Sequence, residues 1–281
     1  IKLNGNKYEY YHDFENYLLI GTDATGNDKN GADYQGSMAD FLMLVIVDKT
    51  ENTYSFLQLN RDTMTEVALI DHNGEGEATA NIQLCTAHWY GGNREQSCEN
   101  TVKSVKKLLG GIQIDGYYEL NMSEIPKLNS MVDGVTVTLE DDFSKKYPKM
   151  KKGATINLDD EQAYAYVHDR YGVGDEENTS RMKRQQQYMT GFLKKLQEKV
   201  KANPNYANEV FESLQDVSTT DIAVQGLSCG GAYGGRLRVV RDGKGGSCTI
   251  YRFHSRRKGV RSRRFVVSPF DSRGIQGCSL L

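Results

Sequence analysis

The sequence predicts an α/β protein with a mixed central sheet and helices on its faces. Short apolar runs suited to strands alternate with segments of helical periodicity up to about residue 216, and Gly-, Asn- and Asp-rich stretches separate them as loops. A chain of 281 residues is long enough to bury a large core, as one large domain or two small ones.

The composition is typical of a soluble globular protein, with 26% charged and 38% hydrophobic residues. No apolar run is long enough to cross a bilayer, and none at the N-terminus has the form of a signal peptide. Because the chain begins at Ile1 rather than Met, we expect it to be a trimmed or mature piece of a longer protein. The lack of an anchor therefore does not predict a cytoplasmic location.

The individual elements are predicted from local patterns. Apolar runs indicate strands, the turn DKTENT indicates a hairpin, and apolar residues at helical spacing indicate helices. The predicted strands are residues 17–21, 41–47, 54–60, 112–121 and 134–140, and the predicted helices are residues 78–90, 99–109 and 122–131. Arg61 follows the hairpin, at a strand end where sites commonly lie.

Two carboxylates bracket the loop at residues 24–37. Asp23 ends the first predicted strand and Asp40 begins the second. If these strands are neighbours, both acids lie at one edge of the sheet, and two carboxylates suit Mg²⁺ when phosphate oxygens complete its shell. An ordinary Asp-containing surface loop is the alternative interpretation.

The stretch 159–187 predicts two helices joined by a Gly-containing loop. Asp159 and Asp160 favour a helix N-terminus, and Thr179 or Ser180 caps the second helix. Basic and amide side chains gather at this corner: His168, Arg170, Arg181, Arg184 and Gln185. Clustered guanidinium groups offer bidentate donors to a phosphate or pyrophosphate. The alternative is a solvated helix face, salt-bridged to the acids at 175–177.

Six segments, in order, resemble the LytR–CpsA–Psr family of cell-envelope phosphotransferases. They are LLIGTD (18–23), ADFLMLVIVD (39–48), LQLNRDT (57–63), MVDGVTVTL (131–139), LDDEQAYAYVHDRYGVGD (158–175) and SRMKRQQQ (180–187). The resemblance implies a three-layer α/β/α domain, with a mixed central sheet and a deep apolar pocket for a polyprenyl chain. It also implies a magnesium-assisted enzyme that moves a glycopolymer from a polyprenyl-pyrophosphate carrier to a peptidoglycan sugar hydroxyl. Such a protein acts at the extracellular face of the cell membrane, through an anchor outside this chain.

The resemblance assigns roles residue by residue. It places Mg²⁺ on Asp23 and Asp40. The pyrophosphate falls to Arg61, His168, Arg170, Arg181, Arg184 and Gln185, and the catalytic residues are Arg61, Arg170, Arg181, Asp175 and Gln185. The family's acid near the second helix matches either Asp175 or the position of Asn178, and we favour Asp175.

Three positions depart from the family pattern: Met38 and His168 replace arginines, and Asn60 replaces a proline. The transferase has two alternatives, and the loss of two cations favours the first of them. One is a non-catalytic module that binds polyprenyl-phosphate or envelope lipids, and the other is a pyrophosphohydrolase acting on the same carrier. A nucleic-acid partner is not expected.

The resemblance covers residues 1–224 and ends at a basic tail, residues 225–281. The tail holds twelve Lys/Arg, eleven Gly, two Asp and no Glu. It fits a basic arm, a small appendage with short strands, or an out-of-register translation, which is the interpretation we prefer. Cys85 and Cys98 flank a short loop and form either one disulfide or two buried thiols.

Overall fold

The computed structural model describes residues 14–222, except 24–25, 27–32, 52, 72 and 77, together with four short strands outside that range. The strands are β1 (Lys2–Leu3), β2 (Asn6–Lys7), β3 (Phe14–Thr22), β4 (Ala39–Asp48), β5 (Thr53–Gln58), β6 (Met64–Ala68), β7 (Thr79–Gln83), β8 (Gly116–Asn121), β9 (Thr136–Thr138), β10 (Thr155–Asn157), β11 (Ser218–Thr220), β12 (Thr249–Phe253) and β13 (Arg263–Val267). The helices are α1 (Arg94–Leu108), α2 (Ile125–Met131), α3 (Asp160–His168), α4 (Asn178–Ala202) and α5 (Tyr206–Leu214).

Among the described residues, five strands form the central sheet, in the order β11-β8-β3-β4-β5. β3 runs parallel to β8 and antiparallel to β4, so the sheet is mixed, as predicted. The crossover from β4 and β5 back to β8 includes α1, which packs against β6, β8 and β11. Helices flank the sheet, which confirms the predicted fold class.

Two apolar clusters form the core. The first joins β3 and β4 to α1, with Leu18, Leu42 and Val105 fully buried. The second lies among α2, α3, α4 and the small β9–β10 sheet, where Tyr166 and Leu158 are almost completely buried. Leu42, Met43 and Leu44 are all buried at the centre of β4, so both faces of the sheet are covered there, since successive side chains point to opposite faces.

The helix predicted at residues 78–90 is wrong. β7 pairs instead with β6 in an antiparallel hairpin, and a 3-10 helix, Leu84–Trp89, follows it. Exposed and partly buried residues alternate along β7, because successive side chains of a strand point to opposite faces. The following helix begins at Arg94 rather than residue 99, because the Asn93 side chain accepts a hydrogen bond from the backbone N–H of Gln96.

Several other boundaries differ from prediction by a few residues. The strand expected at 134–140 is limited to β9, where it pairs with β10. α3 is capped by Asp159 in a reciprocal bond with Gln162, as its sequence suggests. α4 begins at Asn178, one residue before the earlier of the two predicted caps.

The cysteine and tail alternatives fare differently. Cys85 and Cys98 are both buried free thiols, so the disulfide interpretation is wrong. In the tail, β12 and β13 pair antiparallel, as the strand-bearing appendage requires. Most of residues 225–281 lies outside the described residues, so the boundary at residue 224 and the nature of the tail stay predictions. The polyprenyl pocket also stays a prediction.

Candidate active site

The ends of β3 and β4 bring the two predicted acids to one edge of the sheet. Thr22 pairs with Ala39, and the backbone N–H of Asp23 donates to the Met38 carbonyl at 3.1 Å. The Asn121 side chain donates to the Asp23 carbonyl at 2.9 Å, which ties this corner to β8. Asp23 and Asp40 therefore flank one strand junction, as predicted from their spacing.

Asp40 is the centre of the basic cluster. Its side chain is 9% exposed, and each of its two carboxylate oxygens is paired with a guanidinium. Arg61, which follows β5, contacts Oδ1, and Nη1 of Arg181 lies 3.1 Å from Oδ2. Segments 21, 120 and 141 residues apart in sequence thus meet at one carboxylate.

Arg181 is 4% exposed although it carries a charge. Burial, and then the neighbouring positive charges of Arg61 and Arg170, lower its pKa to about 10. Arg181 remains protonated at neutral pH. Arg170 is near enough to Arg181 for its positive charge to act on that guanidinium.

Arg61 has two sulfur neighbours besides Asp40. Its Nη2 donates to Sγ of Cys85 at 3.2 Å and to Sδ of Met38 at 3.6 Å. Burial raises the pKa of the Cys85 thiol, which is therefore neutral at pH 7 and only a weak acceptor. Met38 stands where the family pattern has an arginine, and its sulfur lies beside the guanidinium of Arg61.

Arg184 and Gln185 are buried in internal hydrogen bonds. Arg184 donates to the Asp141 carboxylate at 2.5 Å, to the Tyr166 carbonyl at 2.9 Å and to the Asp169 carbonyl. Gln185 donates to the Val167 carbonyl at 3.1 Å and accepts from the Gln58 side chain at 2.8 Å. The solvated-face interpretation is wrong, because Arg181, Arg184 and Gln185 are all less than 5% exposed.

His168 and Arg170 lie at a more open rim. The imidazole of His168 stacks on Tyr164 at 4.7 Å between ring centroids, and its Nδ1 lies 3.2 Å from the Asp169 carboxylate. Arg170 lies over the ring of Tyr171, 4.6 Å from the centroid, and donates to its hydroxyl. Tyr171 itself is 76% exposed.

The structure separates Asp175 from the guanidinium cluster. Asp175 lies in the loop before α4 and accepts hydrogen bonds from the Glu177 backbone at 3.0 Å and from the Ser180 hydroxyl at 2.8 Å, which lower its pKa. Asn178, in contrast, is buried and contacts Arg181. The alternative position for the family's acid therefore lies at the cluster, and it carries an amide.

The carboxylates of Asp23 and Asp40 suit Mg²⁺ if other oxygen ligands complete its coordination shell. Within the described ranges, no group of three or more His, Cys, Asp or Glu residues could hold a metal ion. Asp23 and Asp40 thus offer at most two carboxylates, and Mg²⁺ commonly accepts that number when phosphate oxygens and waters supply the rest. Asp40 has spare lone pairs for such a contact although both of its oxygens are ion-paired.

The LytR_cpsA_psr family model matches residues 2–236, which is most of the chain. The chain belongs to the LytR–CpsA–Psr family. Proteins of this family act in the cell envelope as glycopolymer transferases of the cell wall, and the chain is assigned to that general role. No curated protein matches it.

Solved structures of similar fold agree with this family assignment. The protein gbs0355 from Streptococcus agalactiae has 23% sequence identity and a TM-score of 0.61, covering 77% of this chain and 71% of its own. TagV from B. subtilis has 19% identity and a TM-score of 0.58, covering 86% and 88%. A structure of TagT bound to LI-WTA has 20% identity and a TM-score of 0.57, covering 85% and 84%.

Several residues at this site were not predicted. Cys85, Asp141 and Tyr171 contact the predicted arginines, but neither Cys85 nor Asp141 belongs to a local pattern that points to the cluster. Tyr171 is the exception, because it directly follows Arg170, and an aromatic residue next to a candidate phosphate-binding arginine can be seen in the sequence.

Among the described residues, no helix combines the length and the apolar character needed to cross a membrane.

Proposed function

We propose that this chain transfers a glycopolymer from a polyprenyl-pyrophosphate carrier to a peptidoglycan sugar hydroxyl. The observation that carries the proposal is the meeting of Arg61 and Arg181 on Asp40, with Arg170 near enough to lower the Arg181 pKa. Three guanidiniums face two carboxylates, Asp40 and the Asp62 carboxylate 3.7 Å from Nε of Arg61, which leaves one net positive charge. A pyrophosphate diester carries two negative charges and satisfies that excess.

The chemistry is a displacement at phosphorus. The oxygen of the sugar hydroxyl forms a bond to the phosphorus next to the glycopolymer, and the bond from that phosphorus to the bridging oxygen breaks. Polyprenyl phosphate departs with the electron pair. The proton of the hydroxyl passes to a carboxylate of the acid pair or to the departing phosphate.

The residues of this chain contribute position and charge. Arg61 and Arg181 stabilise the charge that develops on the departing phosphate, while Arg170 binds the outer oxygens from the rim. Asp23 and Asp40 would hold Mg²⁺, which supplies further charge neutralisation when bound. Arg184 and Gln185 hold α4 in place next to the cluster, since their polar groups are already hydrogen-bonded within the protein.

The experiment measures magnesium-dependent release of polyprenyl phosphate, together with attachment of the glycopolymer to peptidoglycan. Arg61→Ala and Arg181→Ala should each lower the rate by about 100- to 1000-fold, comparable to losing one preorganised donor. Lys183→Ala is the matched control, because Lys183 lies on the exposed side of the same helix. Unchanged rates in both arginine variants would refute the assignment.

The same assay separates the alternatives. Release of polyprenyl phosphate without any acceptor indicates a pyrophosphohydrolase. Tight binding of the carrier without release indicates a non-catalytic lipid-binding module. The proposal has further support from the similar fold of TagT, a protein seen bound to LI-WTA, and from the general role of the family.

A further inference from the structure

Asn178, the first residue of α4, forms a buried link between two distant parts of the chain. Its amide oxygen accepts hydrogen bonds from Nε and Nη2 of Arg181, at 3.2 and 2.8 Å. Its amide nitrogen donates to the side-chain oxygen of Asn60 at 2.8 Å. Asn178 is 8% exposed, so these bonds are made away from water.

The orientation of both amides is determined by their partners. The side-chain oxygen of Asn60 also accepts from the backbone N–H of Asp62 at 3.0 Å, so this atom must be an acceptor. Asn178 must therefore present its NH₂ group to Asn60 and its oxygen to the guanidinium. Only a side chain with both a donor and an acceptor fits here: a carboxylate lacks the donor, and an apolar side chain lacks both.

The hydrogen bonds from Arg181 to Asn178 determine which N–H groups of the guanidinium remain for a ligand. Nε and Nη2 are held by Asn178, and Nη1 is directed at Asp40. Because the amide is neutral, it orients the guanidinium without cancelling its charge. A carboxylate in the same place would bind the guanidinium more strongly and compete with an anionic ligand for it.

We propose that Asn178, together with Asn60, is a positioning residue that aims the charged guanidinium of Arg181 at an anionic head group. This inference rests on the proposed function only for the identity of the ligand. The hydrogen-bond link itself is a property of the folded chain. The two can therefore be tested separately.

The first test observes Arg181 directly. In the ¹⁵N-labelled full chain, the Nε–H resonance of Arg181, assigned with Arg181→Lys, should be protected from solvent exchange. Asn178→Leu removes the acceptor while keeping a similar volume at the first position of the helix, and it should abolish that protection. Protection that survives in Asn178→Leu would overturn the inference, as would its absence from the unmodified chain.

The second test measures binding of inorganic pyrophosphate with Mg²⁺ by calorimetry. Asn178→Leu should raise Kd by about 10- to 100-fold, the size expected for losing preorganisation of one charged donor. Asn178→Asp restores the acceptor, so the Nε–H protection should return. Its Kd should still be about tenfold higher than that of the unmodified chain, because the new carboxylate neutralises Arg181. An Asn178→Asp variant that binds pyrophosphate as tightly as the unmodified chain would overturn the role of the neutral amide.

A double-mutant comparison identifies the route of the effect. In an Arg181→Ala background, Asn178→Leu should cause no further loss of affinity, since Asn178 acts through Arg181. Additive losses would show that Asn178 acts in another way. If the unmodified chain binds no pyrophosphate, the proposed function fails, while the resonance of Arg181 still decides whether Asn178 positions it.

Discussion

Arg181 and Arg184 lie one helical turn apart on α4, and both are buried, but their partners differ. Arg184 joins a carboxylate and two backbone carbonyls, all within the protein. Arg181 shares Asp40 with a second guanidinium and is close to a third. Buried Arg184 therefore stabilises the packing of the protein. Buried Arg181 instead contributes positive charge that its neighbours do not fully neutralise.

Replacing Arg184 by Met should lower the free energy of unfolding by about 3–5 kcal/mol, because it leaves the Asp141 carboxylate without its cation. Arg181→Met should cost less, since it also removes the repulsion from Arg61 and Arg170. Urea denaturation of the two variants measures the difference. Equal losses would contradict the division of roles.

Tyr171 is a second case at this scale, because its 76% exposure means that it contributes little to packing. Tyr171→Ala should raise the Kd for pyrophosphate by about two- to fivefold, the size of one exposed cation–π contact. Tyr171→Phe retains the ring and should lose less. Stability should change by no more than about 0.5 kcal/mol. A loss of equal size in an Arg170→Ala background would show that Tyr171 does not act through Arg170.

At the scale of elements, α4 approaches the small β9–β10 sheet closely at one position. A Cβ atom on Gly191 would lie 2.5 Å from Cγ1 of Val135, although the next nearest atom is 3.7 Å away. Glycine within a helix costs about 1 kcal/mol relative to alanine. The close approach of the helix to Val135 accounts for its presence.

Gly191→Ala should therefore destabilise the protein by about 1 kcal/mol, because overpacking against Val135 outweighs the gain in helix propensity. In a Val135→Ala background the same substitution should stabilise by roughly 0.5–1 kcal/mol, since the contact is removed. Thermal or urea unfolding of the four proteins gives the comparison. If the effect of Gly191→Ala has the same sign in both backgrounds, Val135 is not what limits this position.

At the scale of the whole molecule, the site joins the two parts of the core. Asp40 lies in β4 and Arg61 follows β5, two strands packed in one apolar cluster, and Arg181 belongs to a helix packed in the other. A ligand that bridges these residues binds only the folded chain. Its binding energy is therefore added to the stability of the whole fold.

Inorganic pyrophosphate with Mg²⁺ should raise the free energy of unfolding by about 2.7 kcal/mol when its concentration is 100 times Kd. For a chain of this size, that corresponds to a rise in Tm of roughly 5–10 °C. Sulfate at the same ionic strength is the control for general salt effects. An equal rise in Arg181→Ala would place the ligand somewhere other than this cluster.

The sequence by itself determined four of the five strands of the central sheet, all but β11. It also determined the placement of Asp23 and Asp40 at one strand junction and the shared helix face of Arg181, Arg184 and Gln185. These follow from period and spacing, which are local properties of the chain. Its family motifs also indicated the general role, which the family match supports.

Only the tertiary structure decided which of these residues are available to a ligand. Local pattern assigned residues 79–83 to a helix, but pairing with β6 made them a strand. Spacing could not choose between Asp175 and Asn178, and folding placed Asn178 beside Arg181 and left Asp175 in the loop before α4. The physical reason is that the pairing of β6 with β7, the bond from Asn178 to Asn60 and the ion pair of Arg181 with Asp40 join residues 11 to 141 positions apart. Such contacts depend on the path of the chain, which no local pattern contains.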